Sequence, residues 1–211
     1  MSLSQQAYEI IKHQIVSLQL QPGAVIDETA LQDALGLGRT PIREALKRLE
    51  LEKLVTIAPR RGMFVTEISI TDLQDLFEMR LVLEGLATEL AARRGTAVHW
   101  QRMQQALAST PWHTAGTAAL IAIDEACHQI IYEAADNRFL QDTLQTYYAL
   151  SLRLWYFFLE RIGDMRTAVM EHQSIYDALR TGDGATAARL MRQHIQDFQT
   201  EVQRVMLGMP A

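Results

Sequence analysis

The sequence predicts a mainly α-helical protein in two parts: an N-terminal winged helix-turn-helix and a C-terminal all-helical bundle. Three observations carry this expectation. Leu31 to Val65 reads as helix, turn, helix and short two-stranded ribbon. Beyond Thr66 apolar residues recur at helical spacing with no convincing strand, and turn residues cut that stretch into six segments.

Taken in order, Ile10, Ile11, Ile15 and Leu18 place a first helix over Tyr8–Leu18, and Gln21-Pro22-Gly23 breaks it. Asp27 is suited to cap a second helix running to about Leu35, which Gly36 can end. A third helix begins near Gly38–Thr40, tolerates Pro41 in its first turn and runs to about Glu52. Val55–Ala58 and Met63–Thr66 are strand-length, with Pro59-Arg60-Arg61-Gly62 as the turn between them. Thr71 to Gln74 has the capping-box pattern ahead of a long helix, Leu73–Arg94. Further helices are expected over roughly 97–109, 114–135, 137–162, 165–181 and 184–207. Their breaks fall at Thr110-Pro111, Asp136-Asn137, Gly163-Asp164 and Gly182-Asp183-Gly184. The domain boundary falls at 66–70, giving a winged helix-turn-helix over 1–68 and an all-α effector-binding and dimerisation domain over 69–211.

Composition narrows the class. The chain has 211 residues, 48% of them apolar, enough to bury a core. It has no run of about 18 apolar residues, so no membrane span is expected. The first residues lack the basic-then-apolar order of a signal peptide, and the single Cys127 forms no intrachain disulfide; both suit a reducing cytoplasm. The net charge of -5 is unusual for a nucleic-acid partner, but it is unevenly spread: residues 1–66 carry +1, the remainder -6, and within 38–61 seven basic residues face three acidic ones. Such a local basic footprint permits specific DNA contact while limiting non-specific binding.

That footprint has a pattern. Arg39, Arg43 and Lys47 fall at i, i+4 and i+8 on the third helix, while Ile42, Leu46 and Leu49 form a separate apolar face. One face packs on the preceding helices and the other is free for a duplex. Arginine's planar fork pairs with guanine O6 and N7 or with a phosphate. Thr40 and the helix N-terminal amides suit a phosphate, and Arg60 and Arg61 at the ribbon tip suit the minor groove. A solvated helix face with ordinary surface charges is the plain alternative.

A second constellation lies downstream. Asp124 and His128 are i, i+4 on one helix. His172 and His194 are each ten residues from the Gly182–Gly184 turn, so two antiparallel helices leaving it carry them to equal heights, about 15 Å along each axis. One carboxylate and three imidazoles converge if the Asp124 helix packs on that hairpin. This set suits zinc foremost, or nickel, manganese or iron, with positions open for water or ligand. Arg80 interrupts the apolar helix Phe77–Leu90 and offers a second anion contact for an effector; a salt bridge with Glu84, four residues on, is the other reading.

The segment LQDALGLGRTPIREALKRLELEKLV resembles the DNA-binding signature of the GntR family of bacterial transcription regulators. The match is most specific over Arg39-Thr40-Pro41-Ile42-Arg43-Glu44-Ala45-Leu46, and Arg61-Gly62-Met63-Phe64-Val65 fits the family's wing. The resemblance implies that Arg39, Thr40, Arg43 and Gly62 contact DNA, with Arg48 a lesser candidate. Gly38 stands where the family usually has Ser or Thr, which removes a capping hydroxyl and implies weaker anchoring. Residues 70–205 resemble the FCD ligand-binding domain of the FadR subfamily, through FEMRLVLEGLATELAARR, Asp124-Glu-Ala-Cys-His128, AADNRFL, EHQSIYDALRTGD and ARLMRQHI. Members with this Asp-x3-His, His, His set hold a divalent metal inside the bundle. Cys127 sits where an aromatic residue is common, so the cavity shape is expected to differ.

Together these readings predict a repressor that binds a pseudo-palindromic double-stranded operator as a homodimer and is controlled by a small carboxylate at the metal. The rivals are a metal-dependent hydrolase and a structural metal bundle. Against a hydrolase, Glu125 and Glu171, the carboxylates next to the ligands in sequence, each point about 100° away from them on their helices.

Overall fold

The computed structural model describes residues 1–158 and 165–207. Helix α1 (Leu3–Val16) starts five residues before the apolar periodicity does, because Ser2 Oγ accepts the Gln5 amide hydrogen at 3.1 Å. A polar cap of this kind leaves no trace in a hydrophobic pattern. Helix α2 (Glu28–Leu35) is capped by Asp27, whose carboxylate accepts from the amides of Thr29 and Ala30, and it ends at Gly36 in the left-handed region, φ 64°. Helix α3 (Arg39–Leu51) follows after three residues, and its buried Ile42, Ala45, Leu46 and Leu49 pack on α1 and α2. Strands β1 (Val55–Ala58) and β2 (Gly62–Val65) pair antiparallel, with Val55 opposite Val65 and Ala58 opposite Gly62. The second strand thus lies one residue earlier than the pattern suggests. Val25 bridges to Phe64 on the far side of β2. At the ribbon tip Arg60 (φ 62°) and Gly62 (φ 110°) both take positive φ, which closes the turn and leaves Arg60 and Arg61 exposed.

The second half is helical throughout the described residues: α4 (Ile70–Arg94), α5 (Ala97–Ala108), α6 (Thr117–Ala134), α7 (Arg138–Phe158), α8 (Arg166–Arg180) and α9 (Gly184–Met206). Thr71 does not cap α4. The helix has begun by Ile70, and Ser69 Oγ accepts the Asp72 amide hydrogen at 3.3 Å instead. The expected helix end at 162 and the Gly163-Asp164 break lie outside the described residues. Gly182 (φ 75°) and the Asp183 cap on Thr186 turn the chain between α8 and α9, which then run against each other. Helix α6 packs on α8, and α5 on both.

The described chain packs as two units. The first is Met1–Asp72 with the part of α7 from Tyr148 on; the second is Leu73–Tyr147 with the chain from α8 on. In the first unit the buried Arg153 of α7 donates from Nη2 to the carbonyl oxygen of Thr66, just past β2. No described helix is long and apolar enough to cross a membrane.

Candidate DNA-binding face and metal centre

In the first unit, Arg39, Thr40, Arg43 and Lys47 all lie exposed along one side of α3, opposite its buried stripe. Gly38 is the N-cap and makes no side-chain cap, so no side chain of the chain's own occupies the cap position of α3. Arg43 is not a loose cation. Its Nε and Nη2 donate to the two carboxylate oxygens of Glu28 on α2, at 2.6 and 3.1 Å. This partner lies 15 residues away in sequence, and no local pattern signals it. Arg48, the lesser DNA-contact candidate, is exposed and also engaged within the unit. Its guanidinium lies 3.6 Å over the Tyr8 ring, donates to Gln5 Oε1 at 2.8 Å and faces Glu52 at 3.4 Å. Tyr8 also donates to Glu52 at 2.8 Å and Lys12 binds the same carboxylate, so Arg48 is part of the seam holding α1 to α3. Its spacing from Arg39 and Arg43 already turns it off their stripe.

In the second unit, α6, α8 and α9 bring Asp124, His128, His172 and His194 together, all buried, with one candidate ligand atom from each within 4.8 Å of the others. His172 Nε2 lies 2.9 Å from Asp124 Oδ1, and His194 Nε2 lies 3.5 Å from the same oxygen. His128 Nε2 is 3.2 Å from His194 Nε2 and 3.8 Å from Asp124 Oδ2. With metal–ligand bonds of about 2.0–2.2 Å, adjacent ligands sit about 2.9–3.5 Å apart, so most of these separations match and His128 is slightly wide.

The far side of each ring fixes which nitrogen faces inward. His128 Nδ1 lies 2.7 Å from Glu84 Oε2 and 3.3 Å from the Tyr132 hydroxyl. His194 Nδ1 lies 2.7 Å from Glu171 Oε2. An ionised carboxylate only accepts, so both Nδ1 atoms carry the proton and both Nε2 atoms present lone pairs. Two lone pairs 3.2 Å apart beside the Asp124 carboxylate repel one another unless a cation or proton lies among them. The donor set therefore fits a divalent ion.

In the metal-free cluster burial would lower the His194 imidazole, but its bond to Glu171 and the Asp124 charge outweigh burial and raise it. Burial would raise the Glu84 carboxyl, but the Arg80 guanidinium and His128 outweigh it and bring it down to about 2. Asp124 is likewise held well below the carboxylate range: burial opposes this, and the three histidines overcome it. Burial and the neighbouring His194 push His172 down to about 4, which keeps it neutral and able to ligate at mildly acid pH. His172 Nδ1 is buried with no hydrogen-bond partner among the described residues. Burial and the Asp124 charge raise the Cys127 thiol, which makes it an inert packing group.

Arg80 is almost fully buried and pairs with Glu84, Nε to Oε1 at 2.5 Å, so the salt-bridge reading of that residue is realised. Glu84 and Glu171 are the functional residues that sequence reasoning missed. Glu84 was visible only as a partner for Arg80. Glu171 does point away from the pocket centre, as helix geometry requires, and reaches the back of a ligand on the neighbouring helix. His99 closes the capping box of α5 with Thr96.

Known proteins match both units. Residues 3–65 match the family model "Bacterial regulatory proteins, gntR family", and residues 75–197 match the FCD domain. The HTH-type transcriptional repressor RspR of Escherichia coli K12 is 26% identical over 210 residues, covering 96% of this chain and 90% of RspR. GlaR, a transcriptional repressor of the same organism, is 28% identical over 212 residues, covering 95% of this chain and 96% of GlaR. In fold, E. coli McbR/YncC superposes with a TM-score of 0.87 at 22% identity, covering 98% of this chain and 99% of that one. A putative GntR regulator from Rhodococcus sp. RHA1 gives 0.69 at 21% identity, covering 96% and 98%. These relatives are regulators rather than enzymes. The basic face of α3 and the helical second unit thus have one common setting: the chain belongs to the gntR family of bacterial transcription regulators, as a DNA-binding protein with an FCD domain.

Proposed function

We propose that this regulator is a repressor whose hold on a pseudo-palindromic operator is set by a small carboxylate metabolite at a divalent metal. The observation that carries the reading is the meeting of His128 and His194 Nε2 lone pairs, 3.2 Å apart, beside the buried Asp124 carboxylate. Asp124, His128, His172 and His194 would hold the ion. When bound, it supplies a fixed positive charge and open coordination positions for a carboxylate oxygen. Glu84 and Glu171 orient two of the imidazoles, and Arg80, steadied by Glu84, is the second anion contact. Arg39, Thr40, Arg43 and Lys47 on α3, with Arg60, Arg61 and Gly62 on the ribbon, meet the duplex. Two copies of the chain read two half-sites. Effector binding shifts operator affinity by a coupling of about 1–3 kcal/mol.

The test starts with capture of sheared genomic DNA by the full-length protein, in metal-loaded and metal-stripped form. The recovered operator is then titrated against a panel of small carboxylic acids. Enrichment of a palindrome and an effector-dependent change in affinity that vanishes in D124A are expected. An operator affinity that ignores both metal and every acid, with metal removal lowering stability alone, would reduce the ion to a structural one and sink the proposal.

A further inference from the structure

The Arg43–Glu28 contact is specific about which edge of the guanidinium it uses. Arginine presents five N–H donors in a planar fork. Glu28 takes the side edge: Nε–H to Oε2 at 2.6 Å and one Nη2–H to Oε1 at 3.1 Å. The end edge, made by Nη1 and the second Nη2 hydrogen, is the one whose spacing matches O6 and N7 of a guanine. A carboxylate on the side edge fixes both the position of the guanidinium and the tilt of its plane before a base arrives.

Glu28 is itself well placed to act as a stop. It is the first residue of α2, immediately after the Asp27 that caps that helix, and it is partly buried. Arg43 stands on the exposed stripe between Arg39 and Lys47. Held only by its own four torsions, so long a side chain samples many rotamers, and a base contact would have to order it. Tied to α2, it is ordered in the free protein.

We propose that Glu28 is a specificity-determining positioning residue: it buttresses Arg43 so that the end edge of the guanidinium reads a guanine in each operator half-site. The inference rests on DNA recognition by the exposed face of α3. The competing possibility is that Glu28 masks Arg43 and is merely displaced by phosphate. The two differ in what removing Glu28 does. A mask predicts tighter binding to every sequence with discrimination intact; a buttress predicts loss of discrimination at one base.

The experiment uses the full-length protein and a randomised duplex pool, with wild type, E28A, E28Q and R43A each taken through selection. Fluorescence anisotropy then measures each protein on the wild-type selected duplex, on versions with each guanine replaced, and on an unrelated duplex. Thermal melting confirms that the exposed substitutions leave the fold intact. For wild type, replacing one half-site guanine is expected to weaken binding about ten-fold or more. In E28A and E28Q that penalty falls to within about three-fold, while affinity for the unrelated duplex is kept or rises because a negative charge has gone. R43A loses the same guanine preference together with affinity. Unchanged guanine discrimination in E28A, or a guanine preference that survives in R43A, overturns the buttress and leaves DNA binding by α3 standing. Failure of the wild type to enrich any sequence overturns both together.

Discussion

At the scale of single residues, the Asp124, His128, His172 and His194 cluster shows what a sequence can and cannot disclose. The i, i+4 pair Asp124–His128 and the equal distances of His172 and His194 from the Gly182–Gly184 turn were legible, because helix geometry converts spacing into position. The carboxylates behind the rings were not, since Glu84 and Glu171 reach their histidines across helix–helix contacts that no local period encodes. Their contribution is measurable. E171A and E84Q each remove an outer partner of a ligating imidazole and are expected to weaken metal binding about 10–100-fold, read by competition with a chelator. A structure-only role would lower melting temperature without this change. His172 gives a second residue-level expectation. In metal-free protein its folded pKa of about 4 lies below the ordinary 6.5. Between those values the unfolded chain binds a proton that the folded chain refuses. The favourable contribution is therefore complete above about pH 6.5 and is lost as pH falls toward 4. Metal-stripped wild type should lose melting temperature over that range more steeply than H172Q; parallel curves would refute it.

At the scale of elements, the capping residues decide how faithfully the chain can be read. Asp27 and Gly36 were both legible as the ends of α2, one by its side-chain acceptor and the other by its tolerance of φ 64°. Ser2 and Ser69 were not legible as the starts of α1 and α4, because the apolar period begins later in α1 and the capping-box pattern at Thr71 lies two residues past Ser69. Replacing Asp27 by Ala is expected to cost about 1 kcal/mol, and it is to be read from the denaturant midpoint of the first unfolding transition. Gly36→Ala forces a side chain into a left-handed conformation and is expected to cost about 1 kcal/mol as well. The reverse design, Gly→Ala at a helical site, would stabilise, so the sign of the change tests the conformation. Arg48 shows the limit of motif transfer: a basic residue inside a recognised signature is turned toward Tyr8 and Glu52 and ties two helices together.

At the scale of the whole molecule, charge is unevenly spread. The chain is acidic overall, at -5, and the basic residues proposed to meet DNA are concentrated on α3 and the ribbon tip. Affinity for DNA should therefore fall steeply with salt. Lys47→Ala is expected to reduce the slope of log affinity against log salt by about one and to weaken all sequences alike, in contrast to the base-specific loss expected of Arg43. Stripping the metal should lower the melting temperature, since an ion bound only by the folded cluster stabilises the folded state by its binding free energy. A melting curve indifferent to chelator would speak against metal binding at this cluster.

The bare N-cap of α3 has a further consequence. Gly38 contributes no side-chain acceptor, so the first amides of the helix that meets DNA have no side-chain acceptor at that cap in the free protein. If α3 docks on DNA as proposed, a backbone phosphate would satisfy those amides, and the duplex would finish the helix that reads it. Ordering of the first turn and docking then become a single event. Amide hydrogens at Arg39 and Thr40 should exchange quickly in free protein and become strongly protected on operator DNA. In G38S the hydroxyl would protect the Thr40 amide beforehand, Pro41 having no N–H to offer, and the DNA-induced difference at Thr40 would shrink.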